Sequence, residues 1–267
     1  MSIGSLALPI PPLIFMFSVA VALLVGWMAA SHRSAIDADI FAIVAGGLVA
    51  ARVAFVLRLL PLYRHDWGAM FDIRDLGFDP LVGMAAGTLI AAWRLLRSKA
   101  SRLPLALSLT AGLISHASAR SLIDEWHASP TIPPVALQSL DGAPGTLGTD
   151  GMPTVVNLWA TWCPPCQEEL PAFAQAQAEH PGIRFVFVDE GEAAQTVRRY
   201  FERHSLLLGN TWLDQSSTLA ERVRTAGFPT TLFYDRNGRL LETHLGPFSA
   251  ATLHDALEHH FGSAAAR

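Results

Sequence analysis

Long apolar stretches dominate the first 125 residues of the chain. Four of them cover residues 10–30, 39–60, 78–96 and 103–123, and each approaches the roughly 20 apolar residues that a helix needs to cross a bilayer. The first stretch contains no charged residue and no Lys or Arg precedes it, which favours a retained membrane span over a cleaved signal peptide. The pattern therefore predicts a membrane domain of about four transmembrane helices over residues 1–125.

Basic residues between these stretches predict how the helices are oriented. The connection between the third and fourth stretches has only basic charges, namely Arg94, Arg97, Lys99 and Arg102, whereas the second connection mixes acids and bases. Short cytoplasmic loops are enriched in Lys and Arg, so the third connection is predicted to be cytoplasmic and both chain termini to lie outside. If the fourth stretch does not span the membrane, the C-terminal half faces the cytoplasm instead.

Polar and small residues within the apolar stretches allow two interpretations. A charge such as Arg52 inside a span is a functional candidate, because burying it in a bilayer is unfavourable. The alternative is that Arg52 faces the helix bundle or extends its side chain to the membrane interface, paired with Asp39 or Asp79. We interpret His116 as a polar residue of a helix interface, and the spacing of Gly83 and Gly87 predicts closely approaching helices.

The pattern changes after a Pro-containing linker at residues 126–134. Alternation over residues 135–142 predicts a leading hairpin, and residues 154–160 read as a buried strand followed by a helix to residue 179. Further strands are predicted at residues 183–189, 227–234 and 239–244, and further helices at 193–204, 218–225 and 250–260. Residues 135–267 are thus predicted to form a separate α/β domain.

The composition and the cysteine count predict that the two cysteines form a redox-active pair. The chain is 51% hydrophobic and 16% charged, and its net charge of −4 argues against nucleic acid as a partner. Its only two cysteines, Cys163 and Cys166, are too few for a disulfide framework, and a structural zinc site needs four ligands. A redox-active disulfide between them is the remaining interpretation, with no other cofactor implied.

The predicted position of the cysteines indicates their roles. Cys163 lies at the start of a helix, where unpaired backbone N–H groups and the helix dipole lower a thiol pKa. Cys163 is therefore the expected nucleophile, and Cys166, one turn further, the expected resolving thiol. Pro164 and Pro165 restrict the backbone between them.

Three spaced motifs resemble the TlpA/ResA family of thioredoxin-fold oxidoreductases: residues 157–166, residues 169–171 and residues 227–231. The resemblance covers residues 131–262 and implies a thioredoxin-like fold.

The resemblance implies roles for individual residues. Pro229 matches a proline that is cis in this fold and lies against the disulfide, and Glu169 matches an acidic residue kept near the cysteine pair. Substrate binding is assigned to Trp162, Pro164, Pro165, Phe228 and Pro229. A carboxyl at position 169 can accept the proton of Cys166; the alternatives are that Glu169 is a solvated carboxylate or that Glu168 takes the role.

Residue 157 departs from thioredoxin. Thioredoxin has a buried Asp at this position of the strand, whereas this chain has Asn157. An amide does not accept a proton at neutral pH, so carboxylate assistance is expected from another residue.

The membrane half loosely resembles prolipoprotein diacylglyceryl transferases over residues 38–95, on residues 46–52 and Tyr63. The third stretch lacks the His-Gly-Gly segment of that family, and the later spans are missing. We interpret the membrane half as a scaffold without transferase activity.

Together these features predict a membrane-anchored thiol–disulfide oxidoreductase that reduces protein disulfides on the outer face of a bacterial cytoplasmic membrane, in the periplasm or exterior. Because the spans contain no cysteine, a separate membrane electron donor of the DsbD/CcdA type is expected by family analogy. The alternatives are a disulfide-forming oxidase, a cytochrome c maturation thiol reductase, and a lipid-modifying or lipid-binding membrane protein with a redox-sensing domain.

Overall fold

The computed structural model describes residues 2–3, 6–7, 10–30, 33–64, 67–97, 102–124 and 131–262. The chain divides into two compact units, one of residues 10–126 and the other of residues 127–267 together with 1–9. Residues 126–130 of the predicted linker lie outside the described residues. Each unit is described separately below.

The helical unit contains four long α-helices and two short 3₁₀ turns. Two short strands precede it, β1 (Ser2–Ile3) and β2 (Leu6–Ala7), which pair antiparallel. The helices are α1 (Ile10–Ala29), α2 (Arg33–Arg58), α3 (Pro80–Arg97) and α4 (Arg102–Asp124), with 3₁₀ turns at Leu60–Tyr63 and Gly68–Phe71. Among the described residues, Pro12–Ala29 and Ile36–Arg58 are long and apolar enough to cross a membrane; α3 and α4 do not meet the same criterion. The prediction of four transmembrane helices therefore remains a prediction.

Close backbone contacts at glycine hold the helices in pairs, α1 against α4 and α2 against α3. A Cβ on Gly83 would lie 2.9 Å from the Cβ of Ala51 and 3.2 Å from the carbonyl oxygen of Gly47, as the small-residue spacing predicts. In the other pair, Ser18 Oγ lies 3.4 Å from His116 Nδ1, so His116 is a polar residue of the α1–α4 interface.

Arg52 is held by the connection between α2 and α3. Its guanidinium donates to Asp75 Oδ1 at 3.0 Å and to four carbonyl oxygens, those of Ala69, Met70, Asp72 and Gly77. The predicted pairing with Asp39 or Asp79 is wrong. Asp39 pairs with Arg94 at 2.7 Å, and Asp79 accepts the Val82 N–H at the start of α3. Arg52 lies near the C-terminal end of α2, so the connection that follows supplies its partners.

The second unit is an α/β domain built on a seven-stranded sheet. Its elements in chain order are β3 (Ala136–Ser139), β4 (Pro144–Thr146), β5 (Thr154–Trp159), α5 (Pro164–Glu179), β6 (Arg184–Glu190), α6 (Ala194–His204), β7 (Thr211–Asp214), α7 (Thr218–Arg222), β8 (Thr230–Tyr234), β9 (Leu240–Leu245) and α8 (Ala250–Phe261). The strand order is β4-β3-β7-β6-β5-β8-β9, in which β5, β6 and β7 are parallel and the remaining pairs antiparallel.

Alternation along the central strand separates two hydrophobic cores. Val155 and Trp159 of β5 face the core that α5, α6 and α8 cover, whereas Val156 and Leu158 face the core that α7 covers. Every residue of β5 is buried, as expected for a central strand covered on both faces.

The predicted hairpin, strands and helices of this domain are confirmed, with boundaries shifted by a few residues. Strand β7 was not predicted. Its four residues are too few to show an alternating pattern, and its place is determined by pairing with β6 on one side and β3 on the other.

The glycine contacts of α3 lead to a stability prediction. We expect Gly83→Ala to lower the thermal denaturation midpoint of the full-length protein in detergent, measured by circular dichroism. The added methyl group must displace α2, which by overpacking destabilises by roughly 1–3 kcal/mol.

Gly87→Ala is the matched control in the same helix. A Cβ there would meet its nearest neighbours at 3.8 Å, an ordinary contact distance, so the midpoint should stay or rise. Equal midpoints for the two variants would contradict the packing described here.

Candidate active site

The cysteine pair lies where the central strand β5 passes into α5. Three residues, Ala160 to Trp162, connect the two elements, and Cys163 is the N-cap of the helix. The Cys166 N–H points to Cys163 Sγ at 3.3 Å. The first two residues of α5 are prolines and have no N–H, so this N–H is the backbone donor that faces the sulfur, and it and the helix dipole favour a negative charge there.

The two sulfur atoms are joined in a disulfide. Cys163 is 4% exposed and Cys166 is fully buried, so Cys163 is the more accessible of the two. Pro164 and Pro165 occupy the first two positions of α5, where a missing N–H leaves no helix hydrogen bond unmade. This geometry fits the predicted order of attack, first by Cys163 and then by Cys166.

Phe228 and Pro229 lie at the same edge of the sheet as the disulfide. Thr230 pairs with Leu158 near the C-terminal end of β5, which brings the residues just before β8 to that edge. The Phe228–Pro229 peptide bond is cis, as the family resemblance implies. Trp162 is 63% exposed and contacts Phe228 edge to face, with ring centroids 6.1 Å apart. An aromatic surface thus borders the cysteine pair.

Glu169 is fully buried on the face of α5 that carries Cys166. Its two oxygens accept hydrogen bonds from Asn157 Nδ2 at 2.7 Å and from the Phe248 N–H at 2.9 Å. The alternative of a solvated carboxylate is therefore wrong for Glu169 and describes the exposed Glu168 instead. Residues three apart on a helix are neighbours, so Glu169 and Cys166 lie side by side on the buried face of α5.

Burial sets the protonation of Glu169. Removal from water raises the pKa of this carboxyl to about 8, and the hydrogen bonds from Phe248 and Asn157 limit the rise. An ordinary cysteine thiol has a pKa of about 8.5. A carboxyl pKa raised toward that of a thiol makes ionised Glu169 a stronger base than a solvated carboxylate.

Three further acids at this edge were missed by sequence reasoning. Asp189 and Glu190 end strand β6, and burial raises the pKa of each to about 8. Glu192 follows them and accepts hydrogen bonds from the N–H and hydroxyl of Thr161, two residues before Cys163. The available signal was the acidic run at the end of a strand parallel to β5. In the described parts of the chain, no three His, Cys, Asp or Glu side chains are arranged to hold a metal ion.

The raised pKa of Glu169 leads to a prediction about stability and pH. The pKa is 4.5 when the carboxyl is in water and about 8 in the fold, so between these values the folded protein binds the extra proton. The stabilisation is fully present below pH 4.5 and is lost as the pH rises through 8. We expect Glu169→Gln to flatten the decline of unfolding free energy over this range by up to about 1.4 kcal/mol per pH unit.

Urea denaturation of the full-length protein at several pH values measures this slope. The variant also loses absolute stability, because an amide NH₂ replaces one oxygen that accepts a hydrogen bond. Glu168→Gln makes the same chemical change at an exposed position and should leave the slope unchanged. The same slope in Glu169→Gln and the wild type would show that Glu169 is not the buried group that titrates.

Comparison with known proteins places the second unit in a known family. Residues 127–258 match the model of the Redoxin family. Over 134 residues the chain is 28% identical to sporulation thiol-disulfide oxidoreductase A of Bacillus subtilis (strain 168), covering 48% of this chain and 81% of that protein. Over 124 residues it is 32% identical to thiol:disulfide interchange protein DsbE of Escherichia coli (strain K12), covering 43% of this chain and 63% of that protein.

Among solved structures, StoA from Bacillus subtilis matches with 25% identity and a TM-score of 0.41, covering 47% of this chain and 96% of that chain. The family match and the relatives named above identify residues 127–258 as a Redoxin domain, which confirms the predicted thioredoxin-like resemblance. The resemblance of residues 38–95 to diacylglyceryl transferases stays a prediction.

Proposed function

We propose that the thiol–disulfide oxidoreductase formed by the C-terminal half of this chain reduces protein disulfides outside the cytoplasm, held at the membrane by the helical unit. The observation that carries the proposal is the cysteine pair at the N-terminus of α5, with the buried Glu169 one turn beyond Cys166. The Redoxin match and the names of the relatives support the reaction class.

The reduced dithiol would act in two exchange steps. The Cys163 thiolate attacks one sulfur of a substrate disulfide, which forms a mixed disulfide and releases the other substrate sulfur as a thiolate. Cys166 then gives its proton to the fraction of Glu169 that is ionised and attacks Cys163 Sγ, forming the Cys163–Cys166 disulfide and releasing the second substrate thiolate. Two electrons pass from the enzyme to the substrate, and the released thiolates take up protons.

The aromatic surface beside the disulfide supports an extended protein substrate. Trp162 and Phe228 offer an apolar area next to Cys163, and the half-buried Pro165 lies between the two cysteines. Backbone of a bound chain next to Pro229 would bring its disulfide to Cys163. These residues are assigned to substrate binding as part of the proposal.

Anchoring by four transmembrane helices is supported by the packing of the helical unit. Helices α3 and α4 have 18 and 23 residues, and they lie along α2 and α1, which are apolar enough to span. Both present large exposed apolar side chains, which fits a lipid environment: Leu81, Leu89 and Leu96 on α3, and Leu103, Leu113, Ile114 and Leu122 on α4. With the basic connection after α3 in the cytoplasm, the Redoxin domain faces outward.

A dithiol donor must restore the reduced enzyme after each turnover. The chain has only two cysteines, both in the Redoxin domain, so its own helices have no thiols to relay electrons. We assign this step to a membrane dithiol donor of the DsbD/CcdA type.

Loss of the nucleophile tests the reaction. Cys163→Ser should abolish reduction of insulin disulfides by the full-length protein with dithiothreitol as donor, because no mixed disulfide can form. Cys166→Ala should instead accumulate a mixed disulfide, because the resolving thiol is missing. Insulin reduction that persists in Cys163→Ser would refute the assignment.

The reduction potential distinguishes a disulfide reductase from a disulfide-forming oxidase. We expect a value well below about −200 mV, whereas a value near about −120 mV is typical of a disulfide-forming oxidase. The measurement equilibrates the full-length protein with glutathione or dithiothreitol buffers and counts the thiols.

Thiol labelling tests the membrane orientation. In intact cells that express Cys166→Ala, treated first with a membrane-impermeant reductant to open any mixed disulfide, a membrane-impermeant maleimide should label the protein, since Cys163 is then its only cysteine. Permeabilised cells give the full labelling for comparison. Labelling only after permeabilisation would place the Redoxin domain in the cytoplasm.

A further inference from the structure

Two side chains, one from α5 and one from the connection between β6 and α6, hold Thr161 in the connection between β5 and α5. Its N–H donates to Glu192 Oε2 at 2.6 Å and its hydroxyl to Glu192 Oε1 at 2.7 Å. Its carbonyl accepts the Gln167 Nε2 amide at 2.6 Å. Both backbone polar groups of Thr161, its N–H and its carbonyl, are therefore hydrogen-bonded to side chains.

These bonds restrict the chain just before the nucleophile. Thr161 is two residues before Cys163, and two residues span at most about 7 Å. The turn is closed by the Cys163 N–H donating to the Ala160 carbonyl at 3.2 Å. A shift of Thr161 would therefore move Cys163 relative to the Cys166 N–H at the start of α5.

We propose that Glu192 is a positioning residue of the dithiol, whose carboxylate fixes Thr161 and whose negative charge disfavours the Cys163 thiolate, so that the pair is more strongly reducing. The inference rests on the proposed thiol–disulfide exchange and adds a residue to it. Glu192 follows the end of β6 and lies outside the three sequence motifs that suggested the family.

The hydrogen bonds indicate that Glu192 is the charged member of its neighbourhood. Both of its oxygens accept hydrogen bonds from Thr161, which is the arrangement of a carboxylate. Asp189 pairs with Trp159 at the end of β5, and burial, with Glu192 nearby, raises its pKa to about 8, so Asp189 keeps its proton near neutral pH. Glu169, on α5, is the other acid of this edge on the same face of the sheet and is also mainly protonated near neutral pH.

A charge near the cysteines changes the reduction potential mainly by changing the free energy of the reduced form. Reduction creates a thiol that ionises, whereas the disulfide has no charge to stabilise. A negative neighbour makes the thiolate less favourable, and so the reduced form is a better electron donor. Stabilising the reduced form has the opposite effect and makes a strong oxidant.

Two substitutions at Glu192 separate its charge from its geometry. In Glu192→Gln the amide oxygen can accept the Thr161 N–H while the amide nitrogen donates to the Thr161 hydroxyl, so the contacts stay and the charge is lost. Glu192→Ala loses both. At the other end, Thr161→Val removes the hydroxyl contact at nearly equal volume, and Thr161→Ser keeps it.

The experiment measures the reduction potential, the Cys163 thiol pKa and the insulin reduction rate of the full-length protein. For Glu192→Gln we expect the equilibrium constant for reduction to rise about threefold, or about 14 mV at 29.6 mV per tenfold change, with a lower thiol pKa and little change in thermal midpoint. Thr161→Val should slow insulin reduction several-fold without changing the potential, and Thr161→Ser should behave as the wild type. Glu202→Gln, an exposed carboxylate of α6, is the control for net charge.

The outcomes distinguish this inference from the proposed function. An unchanged potential and thiol pKa in Glu192→Gln would overturn the role of the charge, and an unchanged rate in Thr161→Val would overturn the role of the contact. If Glu192→Ala fails to fold, the other variants still decide. A wild-type protein that does not reduce insulin would refute the reductase function. The difference in reduction potential between the wild type and Glu192→Gln would still test the role of Glu192.

Discussion

The direct passage of the fully buried strand β5 into helix α5 is the constraint on which the site depends. A strand in the middle of a sheet, packed on both faces, has no freedom to shift, and only three residues separate its last residue from Cys163. The first sulfur is therefore held at the N-terminus of the helix, against the Cys166 N–H, where the helix dipole favours an anion. The register of β8 against β5 then places Phe228 and Pro229 at the same edge. Strand pairing and helix capping thus locate the reacting atoms together.

Burial of Glu169 near the cysteine pair raises the pKa of its carboxyl. Glu169 is removed from water, but both of its oxygens are satisfied by Asn157 and the backbone of Phe248, so its charged form is disfavoured without being forbidden. Buried polar groups are retained only when they are hydrogen-bonded, and here the partners come from a strand and from the segment before α8. Thioredoxin has its acid on the strand. In this chain β5 supplies the amide of Asn157 and α5 supplies the acid Glu169, and the two side chains are hydrogen-bonded to each other.

The helical unit satisfies its own polar groups in a similar way. Arg52 lies in an apolar helix, yet Asp75 and four backbone carbonyls occupy its guanidinium, so the charge orders the connection that follows α2. Glycines bring α2 and α3 together, and hydroxyl and imidazole groups meet between α1 and α4. These contacts lie within the helical unit and involve no thiol, so the unit satisfies its polar groups independently of the cysteine pair.

The sequence by itself determined the division into an apolar half and an α/β half, the elements of the α/β half except β7, and the two cysteines as the reacting pair. These features depend on local periodicity and on residue type, which can be read along the chain. The partner of Arg52 could not be read in this way, because Asp39, Asp75 and Asp79 are equally suitable by composition and only the fold decides which one lies near.

The same limit applies to the acids of the site. Glu168 and Glu169 are neighbours in the chain, and only the direction in which α5 packs buries one and exposes the other. Asn157 and Glu169 meet because the helix folds back over its strand, and Glu192 reaches Thr161 because β6 lies parallel to β5. Residue chemistry was available from the sequence, whereas proximity, burial and the resulting pKa values depend on tertiary packing.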